Sequence, residues 1–253
     1  MKSMTLIPQS HPRAKSLQIR EMLVNGFDQG LVAKEGLMAH GRGETFDYLL
    51  GERTSISAKK AIKAAAVTLL AASYPVISVN GNIAALCPKE IVHLSRVIHA
   101  KIEVNLFYAN DKRKKNIVKI LKKHGAKEIL GINRKSSRSI STLDSARRFI
   151  DKDGIYLADV VLVPLEDGDR TQALRKIKKI VITFDLNPLS RTSQTANITI
   201  VDNVIRGMKE LINLTKTLSK KKNIQMNKFD NKKNLSQSVI EIKKHLTRRL
   251  HNA

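Results

Sequence analysis

The amino-acid sequence predicts an α/β fold in which a mainly parallel sheet is covered by helices on both faces. Three observations lead there. Val160-Val161-Leu162-Val163 and Val181-Ile182-Thr183-Phe184 are continuous apolar and β-branched runs, as expected of strands buried on both faces. Each run breaks abruptly into acids, amides, glycine or proline, arginine and threonine, at Glu166-Asp167-Gly168-Asp169-Arg170-Thr171 and at Asp185-Leu186-Asn187-Pro188-Leu189-Ser190-Arg191-Thr192. Strand-like and helix-like segments alternate along the chain, which implies right-handed crossovers and parallel pairing. Such sheets bind ligands in the crevice beyond the carboxyl ends of their strands. Hydrogen-bonding groups crowded at two of those ends point to a polar, phosphate-bearing small molecule.

Taken in order, Arg13 to Gly30 has helical periodicity through Leu17, Met22, Leu23 and Phe27 and ends on glycine. A loop is expected around Gly36 to Gly43. The alanine- and leucine-rich stretch from Ser57 to Ser73 predicts a helix. Pro75 opens a short strand, Val76 to Val79, which ends at Asn80-Gly81-Asn82. Pro88 stands where a helix begins, and that helix is expected to reach about Ala100. Lys101 to Tyr108 reads as a strand, Asp111 to His124 as a helix capped by Gly125, Glu128 to Gly131 as a strand and Ser141 to Asp151 as a helix. The later strands, at 160–163, 180–184 and 198–201, are separated by a helix near Thr171 to Ile177 and by the Asn187 loop. From Val204 the chain reads as helical to about Leu218, polar and basic to Lys233, and helical again from Leu235. The last helix carries Leu235, Val239, Ile242, Leu246 and Leu250 at helical spacing, a packing face that would suit a subunit interface. The expected architecture is Rossmann-like: a single α/β domain over residues 1–253, with a helical N-terminal segment, 1–73, and a helical C-terminal segment, 204–253.

At 253 residues and 42% hydrophobic content the chain can bury a substantial core, and with aromatics at 4% and no tryptophan that core is aliphatic. The single cysteine, Cys87, excludes an internal disulfide and a four-cysteine zinc site, and its setting suits a small buried thiol. No apolar secretory stretch is evident, and no run approaches the ~18 residues of a membrane span, so a cytoplasmic protein is expected. Lys+Arg 46 against Asp+Glu 22 gives a net charge of +24. Such a balance favours nucleic acid or other anionic partners on composition alone. Much of it, however, is lysine in runs such as Lys112-Arg113-Lys114-Lys115, Lys122-Lys123 and Lys220-Lys221-Lys222, which read as solvated helix faces. There is no aromatic-and-basic RNA-binding signature, zinc finger or helix-turn-helix pattern.

Several constellations could carry chemistry. Ile7-Pro8-Gln9-Ser10-His11-Pro12-Arg13 would place Ser10, His11 and Arg13 at a helix N-terminus, where free N–H groups attract anions, although a plain helix cap would use similar residues. In His40-Gly41-Arg42-Gly43-Glu44, glycines on either side of Arg42 would let a ligand approach the backbone, and the guanidinium could grip phosphate or carboxylate with two hydrogen bonds. Glu44 and Asp47 could equally start a helix. Asn80 and Asn82 would offer amides to hydroxyl or carboxylate groups at a strand end. Glu166, Asp167 and Asp169 form either a magnesium-binding cluster or an acidic helix start. Ile200-Val201-Asp202-Asn203 is again a strand breaking into acid and amide, and Asp185, Asn187 and Asp202 could accept hydrogen bonds from ribose hydroxyls or the adenine amine, with Arg191 and Thr192 meeting phosphate. Neither a P-loop nor a dinucleotide-binding glycine fingerprint occurs.

Together these segments resemble the archaeal phosphopantothenate synthetases, the 4-phosphopantoate–β-alanine ligases. The resemblance runs through Ile7-Pro8 to Arg13, Gly36 to Leu49, Pro75 to Asn82, Glu103 to Tyr108, Ala158 to Thr171, Asp185 to Arg191, Ile198 to Asn203 and Phe229-Asp230-Asn231. It implies a homodimeric enzyme that uses ATP and Mg²⁺ to join 4-phosphopantoate to β-alanine, releasing AMP and diphosphate through an acyl-adenylate, on the route to coenzyme A. By that resemblance Arg20, Arg42, Asp185, Leu186, Asn187, Arg191, Thr192, Asp202 and Asn203 contact ATP. Arg42 and His40 are the expected catalytic residues, Ser10, His11, Arg13, Asn80 and Asn82 the expected substrate contacts, and Asp167 and Asp169 the expected metal ligands. Two readings from other classes stay open beside it: a basic nucleic-acid-binding α/β protein, and a nicotinamide-dependent oxidoreductase, against which the missing glycine fingerprint counts.

Overall fold

A computed structural model of the protein describes residues 7–221 and 228–250. Helices α1 (Ala14–Asp28), α2 (Lys34–Leu50) and α3 (Ile56–Ala71) precede the first strand, β1 (Pro75–Val79). Two helices, α4 (Gly81–Leu86) and α5 (Pro88–Val97), lead to β2 (Lys101–Val104), and α6 (Asp111–Lys123) follows. A hairpin of β3 (Ser137–Ser139) and β4 (Phe149–Asp151) stands apart from the main sheet. The chain continues through β5 (Val160–Leu162), α7 (Gly168–Lys176), β6 (Ile180–Phe184), the short α8 (Arg191–Thr195), β7 (Ile198–Ile200), α9 (Val204–Ser219) and α10 (Asn231–Leu250).

The main sheet has the order β2-β1-β5-β6-β7, and every pair in it is parallel. The strands alternate their faces in register. Val76, Val161 and Val181 lie side by side and feed one core, while Ile77, Leu162 and Ile182 feed the core on the opposite face. Both sides are covered, which is why these strands read as unbroken apolar runs. From β1 the chain crosses first to β2 and then returns to the other side of β1 as β5. The crossovers therefore diverge between β1 and β5, the switch point where doubly wound sheets open a crevice.

One backbone group on the outer edge of β7 is met by a side chain of α10. Asn231, first residue of α10, accepts the Thr199 N–H (2.9 Å) and donates to the carbonyls of Ser193 (2.9 Å) and Ala196 (3.0 Å). Of the apolar stripe on α10, Leu235 is buried and, with the partly buried Ile242, packs against Leu50, Leu186 and Val201, whereas Val239, Leu246 and Leu250 are exposed.

Several expectations need correction. Residues 36–43 form no loop but lie within α2, which continues through its glycines because Leu37, Phe46 and Leu50 anchor it on the cores and Gly51 closes it in the left-handed conformation (φ 82°). The strand expected to reach Tyr108 ends at Val104, and 128–131 supplies a single bridge, Glu103 with Leu130. The stretch from Ser141 to Asp151 is not helical: it forms a one-turn 3₁₀ segment and then β4, with Ile140, Leu143 and Ile150 buried against the sheet. The helix from Pro88 stops at Val97, and His99 takes a positive φ of 53°.

Candidate functional site

The carboxyl edge of the sheet is built from the strand ends outward. Asn80, which follows β1, is fully committed within the fold. Its Oδ1 accepts the Ile83 N–H (3.1 Å) and caps α4, and its Nδ2 donates to the carbonyls of Pro164 and Leu165, both at 3.0 Å. Asn80 thus bridges β1 to the end of β5 across the switch point. Asn82 donates to the Gly36 carbonyl at 2.9 Å and ties the first turn of α2 to the same place.

Helix α2 then crosses the carboxyl edge. Near its start, Gly36 lies so close to Asn82 that a Cβ would come within 2.4 Å of Oδ1. Further along, Gly43 lies beside Leu186 after β6, and Asp47 accepts hydrogen bonds from Asn203 (3.3 Å) and Arg206 (2.7 Å) beyond β7. Gly41 differs from Gly36, because a Cβ there would meet no atom within 4 Å. Packing does not explain a glycine at that position, which costs a helix about 1 kcal/mol relative to alanine. Arg42, between Gly41 and Gly43, is exposed and has no ion pair among the described residues.

One side of α2 faces α1. Glu44 is met by Ser16, by Arg20 (3.0 Å) and by Arg13 (3.7 Å), whose guanidinium also lies 5.2 Å from the centre of the Tyr48 ring. Burial works to raise the Glu44 pKa, but the hydrogen bonds from Ser16 and Arg20, with nearby charge, outweigh it and hold the carboxyl below its ordinary value. Burial also lowers the pKa of His40, against the pull of Glu44, and so favours a neutral imidazole. Arg20, His40, Glu44 and Tyr48 line a cleft of about 400 Å³ between the helices. Ser10 and His11 form an exposed turn just before α1, where His11 Nδ1 accepts the Arg13 N–H (3.0 Å).

The ends of β6 and β7 supply a second group. Asp185 accepts from the Asn187 N–H (2.9 Å) and from Ser190, shaping a tight turn, and burial raises its pKa. Asn187 Oδ1 accepts the Leu189 N–H at 2.9 Å, and Leu186 points into the core beside Leu50. Asp202 is buried, accepts from Thr54 (2.8 Å) and pairs with Arg206, yet burial still raises its pKa. Thr192 donates its hydroxyl to the Glu166 carbonyl (3.0 Å), so its Oγ1 proton is engaged.

A third group occupies the switch point and was not singled out from sequence as a cluster. Arg170, on α7, is fully buried and donates Nη1 to Glu166 (2.6 Å) and to Ser78 of β1 (3.1 Å). Arg147 reaches over from the segment before β4 to pair with Glu166 and, at 2.7 Å, with Asp167, while its guanidinium lies 5.7 Å from the centre of the Phe107 ring. Desolvation lowers both arginines to about 10. Glu103, paired in register with Ser78, is pushed up to about 7 by burial, although it accepts the Ile155 (2.7 Å) and Asp151 (3.1 Å) N–H groups. The signal available in the sequence was the four-residue spacing of Glu166 and Arg170.

Asp167 and Asp169 do not present a free pair of carboxylates. Asp167 caps α7 through the Arg170 N–H (2.8 Å) and holds Arg147, and Asp169 pairs with Arg191. Among the described residues no group of three or more His, Cys, Asp or Glu side chains could hold a metal ion. These residues do not fit a magnesium ion held by the protein alone.

Fold and site together define a doubly wound α/β protein with a polar, arginine-rich crevice at the carboxyl edge, bridged by a helix. A family described as phosphopantothenate/pantothenate synthetase matches residues 57–245. The 4-phosphopantoate–β-alanine ligase of Thermococcus kodakarensis is 48% identical over 250 residues, covering 97% of this chain and 95% of the relative. The enzyme of the same name from Methanosarcina mazei is 49% identical over 96% of both chains, and that from Methanospirillum hungatei is 54% identical over 80% of this chain and 82% of its own. The chain belongs to the phosphopantothenate/pantothenate synthetase family.

Proposed function

We propose that this protein is an ATP-dependent ligase that condenses 4-phosphopantoate with β-alanine to give 4′-phosphopantothenate, with release of AMP and diphosphate. The observation that carries the reading is the near-full-length similarity to ligases of that name, joined to a crevice at one edge of the sheet where the strand ends carry Asp185, Asn187, Arg191 and Asp202 and the bridging helix carries Arg42, with Arg20 meeting that helix from α1. Both acid and nucleotide are polyanions, and catalysis of this kind depends on positioning and charge stabilisation more than on a nucleophilic side chain.

In the proposed reaction a carboxylate oxygen of the acid attacks the α-phosphorus of ATP, and the bond to diphosphate breaks. The free amine of β-alanine then attacks the acyl carbon, and AMP leaves. The ammonium proton must go before that attack; His40, whose pKa burial lowers against the pull of Glu44, is the acceptor in this reading. Arg42, on the bridging helix, has no ion pair among the described residues, as suits a ligand for the phosphates. Asn80 and Asn82, held by backbone groups, act as braces of the crevice rather than as direct substrate contacts. Arg13 meets Glu44 and the Tyr48 ring at the α1–α2 cleft, and Ser10 and His11 lie in the exposed turn just before it. We read Mg²⁺ as entering on the nucleotide phosphates, since Asp167 and Asp169 face arginines. A homodimer working in the cytoplasm completes the reading; among the described residues no helix is long and apolar enough to cross a membrane.

The test is to incubate purified protein with ATP, Mg²⁺, 4-phosphopantoate and β-alanine. AMP and the amide in equal amounts support the reading; ADP as the stoichiometric product overturns the adenylate step and leaves a ligase; no amide overturns the assignment.

A further inference from the structure

We propose that Arg147 is a binding residue for the phosphate of the acid substrate, held ready by Glu166 and Asp167 at the switch point. The inference rests on the ligase reading and goes beyond it by naming the group that selects the phosphorylated acid. The guanidinium is a planar fork. Its Nη1 corner is occupied by two carboxylates, and one face lies over the Phe107 ring. Its Nε–H, on a side chain only 10% exposed, has no acceptor among the described residues. A buried N–H without a partner costs about 1–3 kcal/mol, and an oxyanion at the remaining edge of the fork would supply the missing acceptor.

Placement supports the same conclusion. The residues assigned to ATP lie at the ends of β6 and β7 and on the helices above them. Arg147 lies at the other end of the crevice: Asn105, just after β2, donates Nδ2 to the Phe149 carbonyl (2.9 Å) and the Arg147 carbonyl (3.4 Å), and the guanidinium ends at residues following β5. The acid must bring its carboxylate to the nucleotide, so its phosphate, at the far end of the molecule, points toward β1, β2 and β5. Arg170 stands behind, paired with Glu166 through Nη1 (2.6 Å), and its Nε and Nη2 nitrogens also have no acceptor among the described residues. Arg147 thus binds the phosphate, and Glu166, Asp167 and Phe107 position it.

The experiment is a full steady-state analysis of wild type, Arg147→Gln, Arg147→Lys and Asp167→Asn, with unphosphorylated pantoate as a competing substrate. Asn at 167 retains a helix cap, so that variant loosens Arg147 without removing it. We expect Arg147→Gln to raise KM for 4-phosphopantoate at least ~30-fold and to leave KM for ATP and β-alanine within ~3-fold. Preference for 4-phosphopantoate over pantoate should fall by a similar factor, with Arg147→Lys and Asp167→Asn intermediate. Unchanged kinetics, an equal rise in all three KM values, or preserved preference for the phosphorylated acid overturns the role of Arg147 while the ligase assignment stands. If Arg147→Gln does not fold, the preference ratio of Arg147→Lys and Asp167→Asn decides in the same way. A wild-type protein that makes no amide overturns both.

Discussion

Asp47 on α2 and Arg206 on α9 meet at 2.7 Å, so the helix that bridges the crevice is fastened to the start of the helix after the last strand. Arg206 also pairs with Asp202, and it is the common cation for two largely buried carboxylates. Removing one carboxylate and removing the arginine should therefore differ in cost. Asp47→Ala leaves Arg206 with Asp202 and should cost about 1–3 kcal/mol. Arg206→Ala leaves both acids without their cation, keeping only the hydrogen bonds from Asn203 and Thr54, and should cost about 3–5 kcal/mol. Denaturant titration decides it, and equal losses would show that the two acids do not share the arginine.

Arg42→Ala should lower kcat/KM at least ~100-fold, about 2.7 kcal/mol of transition-state stabilisation, with almost no change in melting temperature. An exposed side chain without an ion pair has little to contribute to folding. A variant that melts early, or one with full activity, contradicts the phosphate role.

The helix glycines should separate by their surroundings. Gly41→Ala places a methyl in open space and should stabilise the fold by about 0.5–1 kcal/mol. If the space receives ligand, the same change weakens substrate binding. Gly36→Ala drives a methyl onto Asn82 and should destabilise. Thermal melts of the two variants, with kinetics on the first, check both halves.

Glu103 should give the fold an alkaline slope. Its folded pKa, about 7, lies above the ordinary 4.5, so its contribution is complete below about pH 4.5 and is lost as pH rises through 7. Denaturant titrations at pH 5.5 and pH 8 should show that loss in wild type. Glu103→Gln, which forfeits one accepted N–H bond at every pH, should be less stable overall but flatter between the two. An equal slope in both proteins would place the titration elsewhere.

The surface charge should be separable from catalysis. Lys112, Lys115 and Lys122 are exposed, and changing all three to Glu should leave the kinetics almost untouched. Lys114 does not belong with them, since it is half-buried and its Nζ donates to the Gly131 carbonyl at 2.7 Å. Binding of duplex DNA or RNA should be weak and lost by ~0.2 M salt, while ligase activity persists there because enclosed contacts are screened less. Sequence-selective, nanomolar binding at that salt concentration would contradict this.

The parallel sheet was legible because strands buried on both faces leave unbroken runs such as Val181 to Phe184. The bridging helix was not, because Gly36, Gly41 and Gly43 look locally like a loop and only packing through Leu37, Phe46 and Leu50 overrides them. The hairpin of β3 and β4 escaped for a related reason: its strands are three residues each, Ser-Arg-Ser and Phe-Ile-Asp, and the buried partners of Ile150 lie far away in sequence. Motifs at Asp185 and Asp202 announced themselves as polar breaks after apolar runs. Arg147 did not, since nothing around it in a basic sequence distinguishes a buried arginine from a solvated one, and for Arg170 the one signal was its spacing from Glu166.

Asn231 has a consequence for the order of assembly. A parallel edge strand with open N–H and C=O groups is a template for pairing with another chain, and here the stopper arrives about thirty residues after β7. During synthesis the β7 edge stays open until the start of α10 has emerged. Loss of the Asn231 amide, or a halt in translation just before it, should appear first as aggregation of newly made protein, well before any loss of activity in molecules already folded.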